Sequence, residues 1–159
     1  MRSSEDVKAA LKALVAAELE NHLNSIMVER GFPPDLIYPR EIILGDINSL
    51  KQLSVWPTLG ILSGDGQSPR SEQGFSFRNT VEVAFRFFLQ DQSISELDLK
   101  VDRYLEATLR LFDENPTIDG HYRVGEVVRW LVSATIPPLQ GKTVFVKGLQ
   151  IEFPITFTP

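Results

Sequence analysis

The stretch 80-TVEVAFRFFLQ-90 restricts the fold more than any other part of the chain. Val81, Val83, Phe85, Phe87 and Leu89 fall on one side of an extended backbone, and Glu82, Ala84, Arg86, Phe88 and Gln90 fall on the other. A period of two is the mark of a strand with one buried face. The alternation predicts a long strand from about Phe75 to Leu89. Its apolar side needs a cover.

Two amphipathic segments supply one. Near the start, Ser3 or Ser4 can cap a helix with Glu5 and Asp6 in its first turn, where acidic groups are favoured. Val7, Leu11, Leu14, Val15, Leu19, Leu23 and Ile26 then recur at helical spacing, and 31-GFPP-34 stops the run. The second segment begins with Ser93 and Glu96, the spacing of a capping box. Leu97, Val101, Leu105, Leu109 and Phe112 form its stripe, with Tyr104 and Leu111 near the edges, and Asn115 and Pro116 close it.

The remaining segments complete a sheet. Residues 31–58 read as extended connections with at most one short strand around Ile42, Ile43 and Leu44. The segment 58-TLGILSG-64 reads as a short strand paired back, antiparallel, onto the long one. Between them, 65-DGQSPRSEQG-74 is polar and rich in turn residues, which predicts a mobile loop over 63–76. Residues 122–138 are rich in valine and strand-like. In the closing stretch, Leu149, Ile151, Phe153, Ile155 and Phe157 alternate with polar residues and Pro154. Proline lacks a backbone donor, so this strand is expected at an edge, or paired on one side only at that point. The order of helix, strands, helix, strands predicts an α+β fold. Its two layers would be a mostly antiparallel or mixed sheet flanked by two helices, in a single domain over 1–159.

Composition narrows the function classes. A chain of 159 residues, 43% of them hydrophobic, can bury roughly 70% of its unfolded surface in one core. The formal charge is -5, from 16 basic and 21 acidic side chains, which argues against tight wrapping of nucleic acid. An acidic wall would instead let DNA slide past. There is no cysteine, hence no disulfide and no thiolate metal site. The opening residues lack the unbroken apolar core of a signal peptide, and no window is apolar enough to span a membrane.

Motifs for catalysis are missing. His22 and His121 are isolated, with no matching ligand spacing, and Asp113, Glu114 and Asp119 lack the oxygen pattern of a calcium loop. No G-x-S-x-G elbow occurs, and 60-GILSGDG-66 has neither dinucleotide nor Walker spacing. Glu96 and Asp98 face different sides of a helix. Phe75, Phe77, Phe85 and Phe87 share one parity and suit a core rather than a base-stacking platform. The expectation is no catalytic residue, no cofactor and no metal. A small enzyme with a dispersed site would instead need a pocket that brings His22 or His121 against Ser, Asp or Glu.

Ala84 and Phe88 lie on the face turned away from the helices, where water is expected. The segment 128-VRWLV-132 also has apolar residues on both parities. Trp56 and Trp130 can each be a core filler, the favoured reading, or an interface anchor. Apolar groups on an outer face point to a neighbouring subunit. One buried Phe contributes about 2–3 kcal/mol, less than the association cost of about 4–15 kcal/mol, so several contacts or ring closure are required.

The opening helix 7-VKAALKALVAAELENHLNSI-26, the segment 56-WPTLGILSG-64, the unit 81-VEVAFRFFLQDQSISELDLKVDRYLEATLRLFDEN-115 and the closing 148-GLQIEFPITF-157 cover most of the chain. In layout and texture they resemble the tail terminator, or tail completion, proteins of long-tailed bacteriophages. The resemblance implies a non-enzymatic virion protein, made in the host cytoplasm and placed at the head-proximal end of the tail. Six copies would form a ring that stops growth of the tube and joins it to the head. The implied partners are the chain itself as a homohexamer, the tail tube protein and the head–tail connector protein, with DNA passing through unread and no membrane involved. Candidate contact residues are Asp65, Glu72, Ala84, Phe88 and Trp130. Connector stoppers and tube subunits share this size and strand content and form the alternative.

Overall fold

The computed structural model describes residues 2–32, 34–36, 38–45, 56–67 and 79–157, with 65–67 described by their backbone. The elements are α1 (Ser4–Arg30), β1 (Glu41–Ile43), β2 (Thr58–Gln67), β3 (Asn79–Asp91), α2 (Ile94–Glu114), β4 (Thr117–Ile118), β5 (Tyr122–Val124), β6 (Arg129–Val132) and β7 (Phe145–Phe157).

Both helices start where their caps dictate. The Ser3 hydroxyl accepts the Asp6 N–H, and the Asp6 carboxylate accepts the Ser3 N–H at 2.7 Å, a complete capping box. That backbone donor holds the Asp6 carboxyl below the usual range. The Ser93 hydroxyl likewise accepts the Glu96 N–H. At the end of α1, Gly31 takes φ +88°, a conformation that suits glycine, and donates to Met27 O. The C-terminal carbonyls of α1 find a further partner in α2. The buried Arg103 donates through Nη1 to Gly31 O at 2.9 Å and through Nη2 to Arg30 O at 3.4 Å. A cation there also suits the negative end of the helix dipole.

Among the described residues one sheet runs in the order β1-β2-β3-β7-β5-β4, with β6 pairing β7. The β1–β2 pair is parallel and the other pairs are antiparallel, so the sheet is mixed. This is the expected α+β architecture. β3 and β7 pair along their whole length, from Asn79 opposite Phe157 to Asp91 opposite Phe145. Directly opposed residues share a face, so Val83, Phe85, Phe87 and Leu89 and the odd-numbered residues of β7 from Leu149 to Phe157 form one apolar surface. Against it pack Leu11, Val15, Leu19 and Leu23 of α1 and Leu97, Val101, Tyr104 and Leu111 of α2. Phe85, Phe112 and Phe153 meet at the centre, with ring centroids 4.4–5.5 Å apart. This pairing geometry adds to the area they bury.

Two expectations need correction. The stripe of α2 is not centred on Leu105 and Leu109, which are half-buried, but on Tyr104, Ala107, Thr108 and Leu111. Repeated steps of four residues drift about 40° each around a helix, so a contact line must insert steps of three. The line 97, 101, 104, 108, 111 does this. Second, β2 continues to Gln67, with a bulge between Ser63 and Gly66, so the first part of the expected loop 63–76 is strand. Residues 68–76 lie outside the described residues, as do 75–78, where the long strand was expected to start; β3 is described from Asn79.

For Pro154 the second expected arrangement, pairing on one side only, is the one found: β7 is not an edge strand. It has β3 on one side and β5 and β6 on the other. Pro154 nevertheless sits where that second side is interrupted, because 125–128 bulge away between Val124, opposite Ile155, and Arg129, opposite Glu152. Pro154 O accepts the Gly125 N–H at 2.8 Å, so the proline nitrogen faces the same gap. A Cβ on Gly125 would stand 2.6 Å from Pro154 Cγ, which only glycine avoids. The missing donor therefore costs no ladder bond.

Candidate assembly surface

β6 reads RWLV, and all four of its residues are exposed. Trp130 is 53% exposed, and Leu131 and Val132 are 47% each. Val128, just before the strand, and Leu139 beyond it are also exposed. The favoured core placement of Trp130 is thus overturned. Its register explains why. Trp130 lies opposite Ile151 and Val132 opposite Leu149, so both stand on the helix side of the sheet. Their own β7 partners are fully buried while β6 itself remains uncovered. Trp56, by contrast, is half-buried and lines a small cavity with Asp35, Pro57, Leu89, Gln90, Lys100 and Tyr104.

Among the described residues β6 has a strand partner in β7 alone. Ser133 N–H donates inward to Gly148 O at 2.9 Å, and alternation then turns the backbone groups of Trp130 and Val132 outward. An apolar edge with outward peptide groups is a template for strand pairing.

Leu131 and Arg129 stand on the opposite face, beside Gln150 and Glu152. That face carries a polar chain across three strands. Arg86 of β3 donates twice to Gln150 Oε1, at 2.9 and 2.6 Å, and Gln150 Nε2 donates to Glu152 Oε1 at 2.7 Å. Arg129 of β6 pairs with the same carboxylate. The Arg129 hydrogen bond holds the Glu152 carboxyl below its usual range. Arg86 and Glu152 flank Ala84 and Phe88 in this layer. Ala84 is half-buried, between Leu62 and Glu152 in register. Phe88 is half-buried and lies over Gly148, where a Cβ would meet the ring at an ordinary 3.5 Å. Valine at 146 is fully covered on this face, outside the helix-side core, next to Ile136.

The expected contact residues therefore divide. Ala84 and Phe88 share the far face, with Leu131 near them; Trp130 points to the helix side from the same edge. Asp65 falls in β2 by its backbone, and Glu72 lies outside the described residues. Leu131 and Val132 are not among the expected contact residues, although apolar residues on both parities of 128–132 signal them.

Among the described residues, neither histidine lines a closed pocket. His121 is exposed on a turn, edge-on to Tyr122 with centroids 6.5 Å apart. His22 is buried on α1, and its Nε2 lies 3.3 Å from Glu114 Oε2 at the end of α2. They line an open groove between the helices with Glu18, Asn21, Ser25 and Arg110. The ligand atoms of Glu18, His22 and Glu114 lie within 4.8 Å of one another. The sequence held half of this signal, since Glu18 and His22 are one helical turn apart; Glu114 joins them only through the fold.

No family model matches the sequence, and no curated protein sequence matches it. Among solved structures, the chain is similar to a chain of the virion of a native gene transfer agent particle. The TM-score is 0.39 and the identity 7%, over 88% of this chain and 92% of the other.

Proposed function

We propose that this chain is a structural virion protein that caps a phage tail tube as a ring, halts its growth and forms the surface for head–tail joining. The observation that carries the reading is β6, an apolar strand exposed at every residue on a sheet edge. The sequence resemblance to tail terminators supplies the setting.

The energetics suit a protein that assembles on a template. Covering the exposed halves of Trp130, Leu131 and Val132 contributes roughly 1 kcal/mol each. Each new edge hydrogen bond adds about 0.5–1.5 kcal/mol. Against an association cost of about 4–15 kcal/mol, one such contact leaves the protein monomeric at modest concentration. A ring gives every subunit two interfaces and gains from closure. A tube end that orders the subunits removes part of the remaining cost. The acids Asp65, in β2, and Glu72 would contribute to a repulsive, non-binding wall toward DNA.

The test is growth of tail tubes from purified tube protein, followed by electron microscopy in the presence of this chain. A terminator adds one ring and stops elongation. Elongated tubes containing this chain would mark a tube subunit, and unaltered growth with binding to the connector alone would mark a stopper.

A further inference from the structure

We propose that Glu18, His22 and Glu114 bind a divalent transition-metal ion of the zinc class, joining the middle of α1 to the C-terminal end of α2. The proposal is independent of the ring reading. Glu18 and His22 are four residues apart on α1, which stacks their side chains on one face, and Glu114 arrives from the facing helix. His22 Nε2 and Glu114 Oε2 are 3.3 Å apart. Ligand bonds of about 2.0–2.1 Å in a tetrahedral zinc site place neighbouring ligand atoms roughly 3.3 Å apart. The Glu18 carboxylate completes a triangle with no separation above 4.8 Å, a distance that a small side-chain rotation closes.

The surroundings favour a cation. Asn115 Nδ2 donates to Glu18 Oε2 at 2.7 Å and to Leu111 O at 2.9 Å, so the carboxylate is oriented by a residue that is itself fixed to α2. Such outer partners are what tune metal ligands. The site lies at the negative end of the α2 dipole, and the last turn of α2 contains no basic residue. Arg110 is the cation nearest the groove, but its guanidinium is engaged by Glu29 at 3.0 and 2.7 Å and by Glu106 at 2.7 Å. Glu18 and Glu114 are left as the excess negative charge. Glu114 is 68% exposed, so an ion can enter and keep a water as its fourth ligand. An imidazole with two carboxylates selects zinc, cobalt or nickel over magnesium and calcium, which prefer oxygen alone.

The competing state is His22 in direct contact with Glu114 and no ion. Metal-free full-length protein at pH 7.5 is titrated with zinc by calorimetry and with cobalt by visible absorption, for the wild type, Glu114→Gln and His22→Gln, with circular dichroism to confirm folding. The expected result is one saturable site per chain, a raised thermal midpoint with zinc, and at least tenfold weaker binding in both variants. Should His22→Gln fail to fold, the solvent-exposed Glu114→Gln decides alone. Absence of saturable binding below millimolar metal, or equal affinity in wild type and Glu114→Gln, overturns the proposal.

Discussion

Both β3 and β6 pair with β7, one on each side, yet β3 buries every second side chain from Val81 to Leu89 while β6 buries none. The two strands do not differ in hydrophobicity so much as in what lies above them. β3 runs beneath α2 and opposite the row Leu149, Ile151, Phe153 and Ile155, so its odd positions are enclosed. Trp130 and Val132 extend that same apolar surface by one strand, past the cover. An alternating strand with a helix above it is complete within one chain. An apolar strand at an uncovered edge is complete only when something else adds to it.

This contrast can be broken or sharpened by experiment. The largest effect belongs to the covered side. Phe85→Ala leaves a cavity between Phe112 and Phe153 and should cost about 3–5 kcal/mol, read as a fall in denaturation midpoint. A loss under 1 kcal/mol would mean the core is not centred there. Gly125→Val comes next. It forces a side chain into Pro154 and should cost roughly 1–3 kcal/mol, while Gly64→Ala, where a Cβ would meet its nearest neighbour at an ordinary 3.9 Å, should cost less.

The third effect depends on pH. Hydrogen bonds from Arg30 and Arg110 hold the Glu106 carboxyl below its usual 4.5, and Arg110 does the same for Glu29. A folded value below the unfolded one means this stabilisation is full above about pH 4.5 and is lost as pH falls through the folded value. Thermal midpoints measured from pH 7 down to pH 3 should therefore drop on the acid side, and Glu106→Gln should flatten part of that drop. An unchanged acid limb in the variant would show that the Arg30–Glu106–Arg110–Glu29 chain adds nothing to stability. The smallest expected change is on β6. Trp130→Ser with Leu131→Ser should alter monomer stability by no more than about 2 kcal/mol in all, because both side chains are already half in water, yet should abolish tube capping. A large loss of stability would return β6 to the core.

The fold was legible where period and caps coincide. β3, β7 and both helices follow from alternation, from Ser3 and Ser93, and from Gly31 and Pro116. What the residues could not disclose depends on distant partners. Arg103 is buried because the end of α1, far away in sequence, accepts its hydrogen bonds. Pro154 reads as an edge residue or as one paired on one side only, and the gap at Gly125 that decides between them is made by a distant segment. Trp130 looks like core because nothing local marks where the helix layer ends. Glu18 and His22 are separated in sequence from Glu114 by the end of α1, three strands and nearly all of α2.

The most direct measurement is amide hydrogen exchange at Trp130, Leu131 and Val132, compared between the free chain and the chain assembled on tail tubes. If β6 is covered by a neighbouring copy, the outward amides of Trp130 and Val132 exchange rapidly in the free chain and become strongly protected on assembly. Rapid exchange at both positions in every assembled form would contradict that.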